Sequence, residues 1–291
     1  MRLHLVDGTY ELFRAHYSKR PDRTDDDGRD VKATVGVVSG LLALLGDEDE
    51  AVSHVAVAFD NPIESFRNDE FAGYKDGADV DPALLAQFEL VEEAVRALGV
   101  VVWSMQRWEA DDALGTAAMR FVDEVEQVRI LTPDKDLGQV VTGDRIVQVD
   151  RLRERVYDEA GVRERFGVSP DSIPDYLALV GDAADGIPGI AGFGATSAAA
   201  VLARYGRIED VPEDAADWDV AVRGASRLAT TLAEQRDAAL FYRHLATLVT
   251  DVPLEEDLVV LAWQGVPRDA YLAMCDRLAA TTLRDAPPRW A

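Results

Sequence analysis

Residues 53–60 read SHVAVAFD, a short run of β-branched and small apolar residues that closes on an acid. Such a run reads as a buried strand. Residues 1–7, MRLHLVD, give another, alternating and again ending on Asp. Between them lie TYELFRAHYS (9–18), a short helix, the polar loop RPDRTDDDGRD (20–30), and VKATVGVVSGLLALLG (31–46), an apolar helix. Downstream, PALLAQFELVEEAVRALG (82–99) predicts one amphipathic helix with Gly99 as its stop. VVVWS (100–104) predicts a third strand and WEADDALGTAAMRFVDEV (108–125) a helix. QVRILTPDKD (127–136) predicts a fourth strand closing on two acids, and DRIVQVD (144–150) a fifth. Strands alternating with helices imply an α/β fold with a mainly parallel sheet flanked by helices. Ligands of such sheets bind at the carboxyl ends of the strands. That rule gathers Asp7, Asp60, Asp134 and Asp136 on one rim.

The pattern divides the chain. Residues 1–160 form the sheet domain, within which 61–82 are polar, carry Pro62, Gly73, Gly77 and Pro82, and are expected to be partly irregular and exposed. Residues 161–250 read as a helical module: VSPDSIPDYLALVGD (168–182) is a helix, DGIPGIAGFG (185–194) a glycine-rich turn, ATSAAAVLARYG (195–206) a small-residue helix. Residues 251–291 are expected to return to the first domain, with one strand and one helix within 251–275.

The chain has 291 residues, 48% of them hydrophobic, enough for one large domain or two modest ones. No run reaches the roughly 18 apolar residues of a membrane helix, and the amino terminus lacks the apolar core of a signal peptide. A cytoplasmic protein with no membrane contact is expected. The only cysteine, Cys275, excludes a disulfide framework and a four-cysteine zinc site. The 30 basic against 54 acidic residues give −24, which argues against a simple basic nucleic-acid binder. The only lysines are Lys19, Lys32, Lys75 and Lys135. A high-GC genome accounts for few lysines, and a salt-rich cytoplasm for an acidic surface. Acids gathered around divalent cations are a third account.

Where the acids sit favours the third. Glu109 and Asp112 are three apart, so they face one way on a helix with Asp111 one step round. Ordinary capping of the helix start explains them equally well. Asp134 and Asp136, two apart, would share one face of a strand and repel unless a cation lies between them; a turn of ordinary aspartates is the alternative. Asp182 and Asp185 lie at a helix end that disfavours acids, so a metal or an early exit from the helix is required. Hard carboxylate oxygens suit Mg²⁺ or Mn²⁺, and paired ions serve in-line phosphoryl displacement. The glycine-rich turn fits a helix-hairpin-helix whose Gly189, Gly192 and Gly194 allow close approach of a phosphate backbone, or a plain loop between packed helices. His4, His16, His54 and His244 show no metal spacing. GFGATSAA lacks the Lys-Ser/Thr pair of a nucleotide-binding loop, so no nucleotide cofactor is expected.

Five segments in order, LVDGTYELFRAHY (5–17), VAFDNPIESFRNDEFAGYK (57–75), EADDALGTAA (109–118), TPDKDLGQVV (132–141) and LALVGDAADGIPGIAGFGATSAAAVLARYG (177–206), closely resemble the bacterial 5′→3′ exonuclease/flap endonuclease family. That family includes the amino-terminal nuclease domain of DNA polymerase I. The resemblance runs in register from Asp7 to about Tyr205 and more loosely to Trp290. It implies a PIN-like α/β nuclease with a helix-three-turn-helix module and an arch at about 61–82. It implies hydrolysis of DNA phosphodiesters at 5′ ends and 5′ flaps by a two-metal mechanism, in replication and repair. The implied metal ligands are Asp7, Asp60, Glu109, Asp111 and Asp112 nearer one Mg²⁺ or Mn²⁺, and Asp134, Asp136, Asp182 and Asp185 nearer another. A K⁺ ion at the hairpin is also implied. Lys75 would stabilise the scissile phosphate, Tyr74 would stack on a base, and Arg14 and Arg67 would be phosphate contacts or structural partners. Two basic family positions are replaced here, by Ala78 and Thr196. The chain resembles a stand-alone, monomeric nuclease. The alternatives are an RNase H-like or PIN-type ribonuclease and a DNA-structure-binding module that cleaves weakly or not at all.

Overall fold

The structure is a computed structural model and describes residues 1–291. Its internal contacts define two compact units. The first comprises Met1–Ser65, Asp76–Thr132 and Thr250–Ala291; the second comprises Phe66–Lys75 and Pro133–Val249.

The first unit is built on four parallel strands, β1 (Arg2–Asp7), β2 (His54–Asp60), β3 (Val101–Met105) and β4 (Gln127–Leu131), in the order β3-β2-β1-β4. Leu5 of β1 stands opposite Ala56 of β2 and Ile130 of β4. Leu3, Leu5, Val57 and Phe59 are fully buried, as expected of strands covered on both faces. The covering helices include Gly8–His16, Lys32–Leu45, Phe88–Arg96 and Ala110–Phe121. The chain winds from β1 out to β3 and then crosses to β4 on the other side of β1. The crevice at the carboxyl ends of β1 and β4 is therefore the switch point where such sheets bind ligands.

Three local expectations are corrected. The fourth strand stops at Leu131, and Asp136 opens a 3₁₀ helix, Asp136–Val140. Pro133 has no N–H for a strand ladder and ends the pairing. Residues 82–99 form two helices, Pro82–Leu85 and Phe88–Arg96. The buried Gln87 between them takes hydrogen bonds from the Thr34 N–H at 3.0 Å and hydroxyl at 3.1 Å. The expected strand within 251–275 is absent. That segment carries the helices Leu258–Leu261 and Arg268–Arg277, with a single bridge between Ala262 and His54. Indole N–H groups fasten this segment: Trp103 donates to Glu256 at 2.9 Å and Trp263 to the Leu98 carbonyl at 3.0 Å.

The second unit carries the antiparallel pair β5 (Ile146–Asp150) and β6 (Arg155–Tyr157) and the helices Glu159–Phe166, Ile173–Val180, Ala195–Tyr205, Ala225–Glu234 and Arg236–Ala246. Leu177, Val201, Leu202, Leu232 and Leu245 belong to its buried core. Gly189 has φ +73°, and a Cβ there would sit 2.6 Å from the Gly181 nitrogen, so only glycine fits. Part of the segment expected to be irregular and exposed is instead ordered and buried. Phe66–Glu70 is a helix, and Arg67 and Tyr74 are 2% and 5% exposed.

Candidate metal centre

Strand ends and helix starts place the acids of the first unit. Asp7 closes β1 and caps the next helix: its Oδ1 accepts from Tyr10 N at 2.8 Å and its Oδ2 from the Thr132 hydroxyl at 2.8 Å. That second bond joins the ends of β1 and β4 at the switch point. Asp60 closes β2, and its Oδ1 accepts from Ala110 N at 2.7 Å. The Asp60 N–H donates to the Thr9 hydroxyl at 2.8 Å. Glu109 caps the helix Ala110–Phe121; its Oε1 accepts from the Ser65 hydroxyl at 2.8 Å, and its N–H donates to Asp112 Oδ2 at 2.9 Å. The capping alternative is thus realised at Glu109 and Asp112, both buried. Asp111 is half-buried on the same turn.

The second unit brings Asp136, Asp182 and Asp185 together: one carboxylate oxygen from each lies within 4.8 Å of the others, and all three are buried. Their placement follows from two turns. Asp134 Oδ1 accepts from the Asp136 N–H at 3.0 Å, which starts the 3₁₀ turn after Pro133. The helix Ile173–Val180 ends at Gly181, and Asp182 and Ile187 then exchange backbone hydrogen bonds at 2.8 Å, closing a loop that carries Asp185. Asp182 therefore escapes the unfavourable helix end by an early exit. Lys135 Nζ lies 2.6 Å from Asp182 Oδ2, and Lys75 Nζ lies 3.0 Å from Asp185 Oδ1. The 73–75 segment is held close here. Lys75 N donates to the Asp185 carbonyl at 3.1 Å, and a Cβ on Gly186 would fall 2.0 Å from the Gly73 carbonyl oxygen.

The electrostatics of this group fit a divalent cation. Burial, followed by the charges of Asp134, Asp185 and Asp182, holds the Asp136 carboxyl well above the usual carboxylate range. Its Oδ1 is buried with no hydrogen-bond partner. Buried polar oxygens are normally satisfied, and a hard cation among three carboxylates would satisfy this one. Burial works against the Lys135 ammonium. The Asp182 hydrogen bond and the charges of Asp182, Asp136 and Asp134 outweigh it and raise Lys135 above its usual value.

The remaining expected site residues divide. Lys75 stands in the acidic group. Arg14 pairs with Glu11 within one helix. Gly192 has φ +92°, and the Gly194 N–H is bonded to the Ser197 hydroxyl at 3.0 Å. Two positions are packed into the second unit. Of the two roles expected for Arg67, the structural one is seen: its Nε donates to the Leu245 carbonyl at 2.8 Å and its Nη2 to the Thr247 carbonyl at 3.0 Å. Tyr74, 5% exposed, belongs to the second unit's core. Sequence reading passed over Lys135, although it stands between two candidate ligands, and Thr9, Ser65 and Thr132, whose hydroxyls meet Asp60, Glu109 and Asp7 only in the folded chain.

Comparison with known proteins agrees with this architecture. A family model described as 5′-3′ exonuclease, N-terminal resolvase-like domain, matches residues 2–167. A second, 5′-3′ exonuclease, C-terminal SAM fold, matches residues 168–269. A 5′-3′ exonuclease of Aquifex aeolicus is 31% identical over 262 residues, covering 89% of this chain and 86% of that relative. DNA polymerase I of Bacillus caldotenax is 32% identical over 283 residues, covering 95% of this chain but 31% of the polymerase. The chain thus spans about a third of the length of its polymerase relatives. Among solved structures, T5 5′-exonuclease with bound zinc has a TM-score of 0.67 at 18% identity, covering 98% of this chain and 100% of that one. The catalytic core of Rad2 in complex with DNA substrate has a TM-score of 0.61 at 14% identity, covering 95% and 86%. At these identities the likeness is one of fold: a PIN-like α/β unit and a helical unit. With both family models together spanning residues 2–269, the chain belongs to the 5′-3′ exonuclease family.

Proposed function

We propose that this chain is a divalent-metal-dependent 5′ nuclease that hydrolyses DNA phosphodiesters at 5′ ends and 5′ flaps. The observation that carries the reading is the buried Asp136–Asp182–Asp185 group with its unpartnered Asp136 oxygen, in a chain of this family. Asp134, Asp136, Asp182 and Asp185 would hold one Mg²⁺ or Mn²⁺, and Asp7, Asp60, Glu109, Asp111 and Asp112 another. Bound there, such ions supply a polarised attacking water and neutralise charge on the departing oxygen. The residues around them do the rest. The Thr132 and Ser65 hydroxyls and the capping N–H groups fix carboxylate rotamers before any ligand arrives, and the Thr9 hydroxyl holds the Asp60 backbone. Lys75, released from Asp185, supplies positive charge to the phosphate being cut. Residues 1–160 would act as the nuclease domain, with 251–291 packed on it, and residues 161–250 as the DNA-gripping module. Zinc in the T5 structure and DNA in the Rad2 complex, proteins of the same fold, support a divalent cation and DNA as the ligand classes.

A 5′-flap DNA duplex labelled at its 5′ end tests this, with Mg²⁺ or Mn²⁺ and with Asp136→Asn as control. Metal-dependent release of the flap, lost in the variant, is expected. No product from DNA with either metal would overturn the reading, leaving a binding module. Cleavage confined to an RNA flap would make the chain a ribonuclease.

A further inference from the structure

We propose that Lys135 is the chain's own counter-cation for the second-unit acids and sets how tightly they hold a divalent ion. The inference rests on the metal reading above. Lys135 lies between Asp134 and Asp136, and its ammonium meets the Asp182 carboxylate at 2.6 Å. The lysine side chain is 32% exposed and the Asp182 side chain 3%, so the lysine brings positive charge from the surface to a buried acid. Lys75 does the same at Asp185, while the Asp136 Oδ1 has no partner. The Asp136, Asp182 and Asp185 carboxyl groups outnumber the two ammonium groups, so a divalent ion would find excess negative charge there.

A lysine so placed has two opposed effects. Without metal, it offsets the repulsion among the acids and keeps Asp182 in place. When a cation enters, the ammonium stands a few ångströms away and repels it, an interaction that a partly buried setting screens poorly. The group thereby trades affinity for the ability to stay assembled when empty, which suits an ion that exchanges between turnovers.

Mn²⁺ titration of the full chain without DNA, read by the EPR signal of free Mn²⁺, measures this directly. Lys135→Met is expected to bind Mn²⁺ about tenfold more tightly, equal to about 1.4 kcal/mol. Lys135→Arg, which keeps the charge, should stay within about threefold of the parent. In EDTA, Lys135→Met should unfold at lower urea than the parent, and Mn²⁺ should close the gap. A lysine that acts only as a structural brace would lower stability and leave Mn²⁺ affinity unchanged; that result, or weaker binding, overturns the proposal. Lys135→Gln is the second variant should Lys135→Met fail to fold, with the same expected direction. Absence of Mn²⁺ binding by the parent would overturn the metal reading itself, and this inference with it.

Discussion

The acids of the first unit are hydrogen-bonded into the fold, whereas those of the second are packed against one another, although Asp182 also accepts the Ala184 N–H at 3.0 Å. Asp7, Asp60, Glu109 and Asp112 each accept a bond of 2.7–2.9 Å from a hydroxyl or a backbone N–H. Asp136, Asp182 and Asp185 share one small volume, with lysines at two of them and an unpartnered oxygen on the third. Carboxylates of the first kind stabilise the fold without an ion. Carboxylates of the second kind are held in spite of their repulsion. The difference separates two ways of building a metal site, and it makes the two groups respond to mutation with opposite signs.

The largest effect is expected at Asp136. Asp136→Asn should lower flap cleavage by about 10³-fold, the scale seen when one preorganised electrostatic element is lost. The same change removes a buried carboxyl whose ionisation burial and neighbouring acids oppose, so near neutral pH the metal-free variant should unfold at higher urea than the parent, by about 1 kcal/mol. Equal or lower stability of Asp136→Asn in EDTA would break the contrast between the two groups.

Arg67→Met comes next, at about 3 kcal/mol of destabilisation by urea unfolding. The buried guanidinium satisfies the carbonyls of Leu245 and Thr247. Methionine fills similar volume and leaves both acceptors unpaired. This variant sharpens the comparison because the second unit then loses a satisfied polar contact rather than a repulsive one. A loss under about 1 kcal/mol would mean that water replaces the guanidinium.

Much of this was legible in the sequence. Apolar runs closing on Asp7 and Asp60 gave the strands and the ends at which acids gather, because a buried parallel strand is written in consecutive residues. The three-residue spacing of Glu109 and Asp112 gave a shared helix turn for the same reason. Asp134 and Asp136 lie beyond the strand that the upstream apolar run predicts, because Pro133 cannot join the ladder and the 3₁₀ turn begins at Asp136. Arg67 and Tyr74 were out of reach of local pattern. Their burial depends on residues 178 and 180 positions away for Arg67, and on a core assembled from several helices for Tyr74. Lys135 was visible but carried no signal until Asp182 was folded against it.

pH separates a paired carboxylate of the first unit from the acidic group of the second as well. In the first unit, Glu50 is bound by His4 at 2.9 Å and Arg129 at 2.7 Å. The hydrogen bond from His4 and then the Arg129 charge, against burial, bring its carboxyl down to about 2. A depressed carboxyl stabilises the fold above its unfolded value, and that contribution is lost as pH falls from about 4.5 to 2. With solvent screening allowed for, the loss is about 2 kcal/mol. Asp136 has the opposite slope. Its raised carboxyl holds a proton in the fold, so metal-free stability declines as pH rises above its unfolded value of 3.8. Urea midpoints against pH in EDTA should therefore climb through the acid range and then fall off. Asp136→Asn should make the decline shallower and Glu50→Gln the climb. Curves unchanged by both substitutions would break the assignment.

The smallest effect is expected at Asp112. Asp112→Ala removes the acceptor of the Glu109 N–H at the start of the helix Ala110–Phe121. Loss of such a cap costs about 1 kcal/mol, so the metal-free variant should unfold at slightly lower urea. The direction matters more than the size. At Asp136 the loss of a carboxyl whose ionisation the fold opposes should stabilise the empty chain, whereas at Asp112 the loss of a carboxylate should destabilise it, although both substitutions should slow cleavage. If Asp112→Ala instead raised stability in EDTA, repulsion would dominate in the first unit too. The hydrogen bonds at Asp7, Asp60 and Glu109 would then be what holds a repulsive group together rather than what satisfies it.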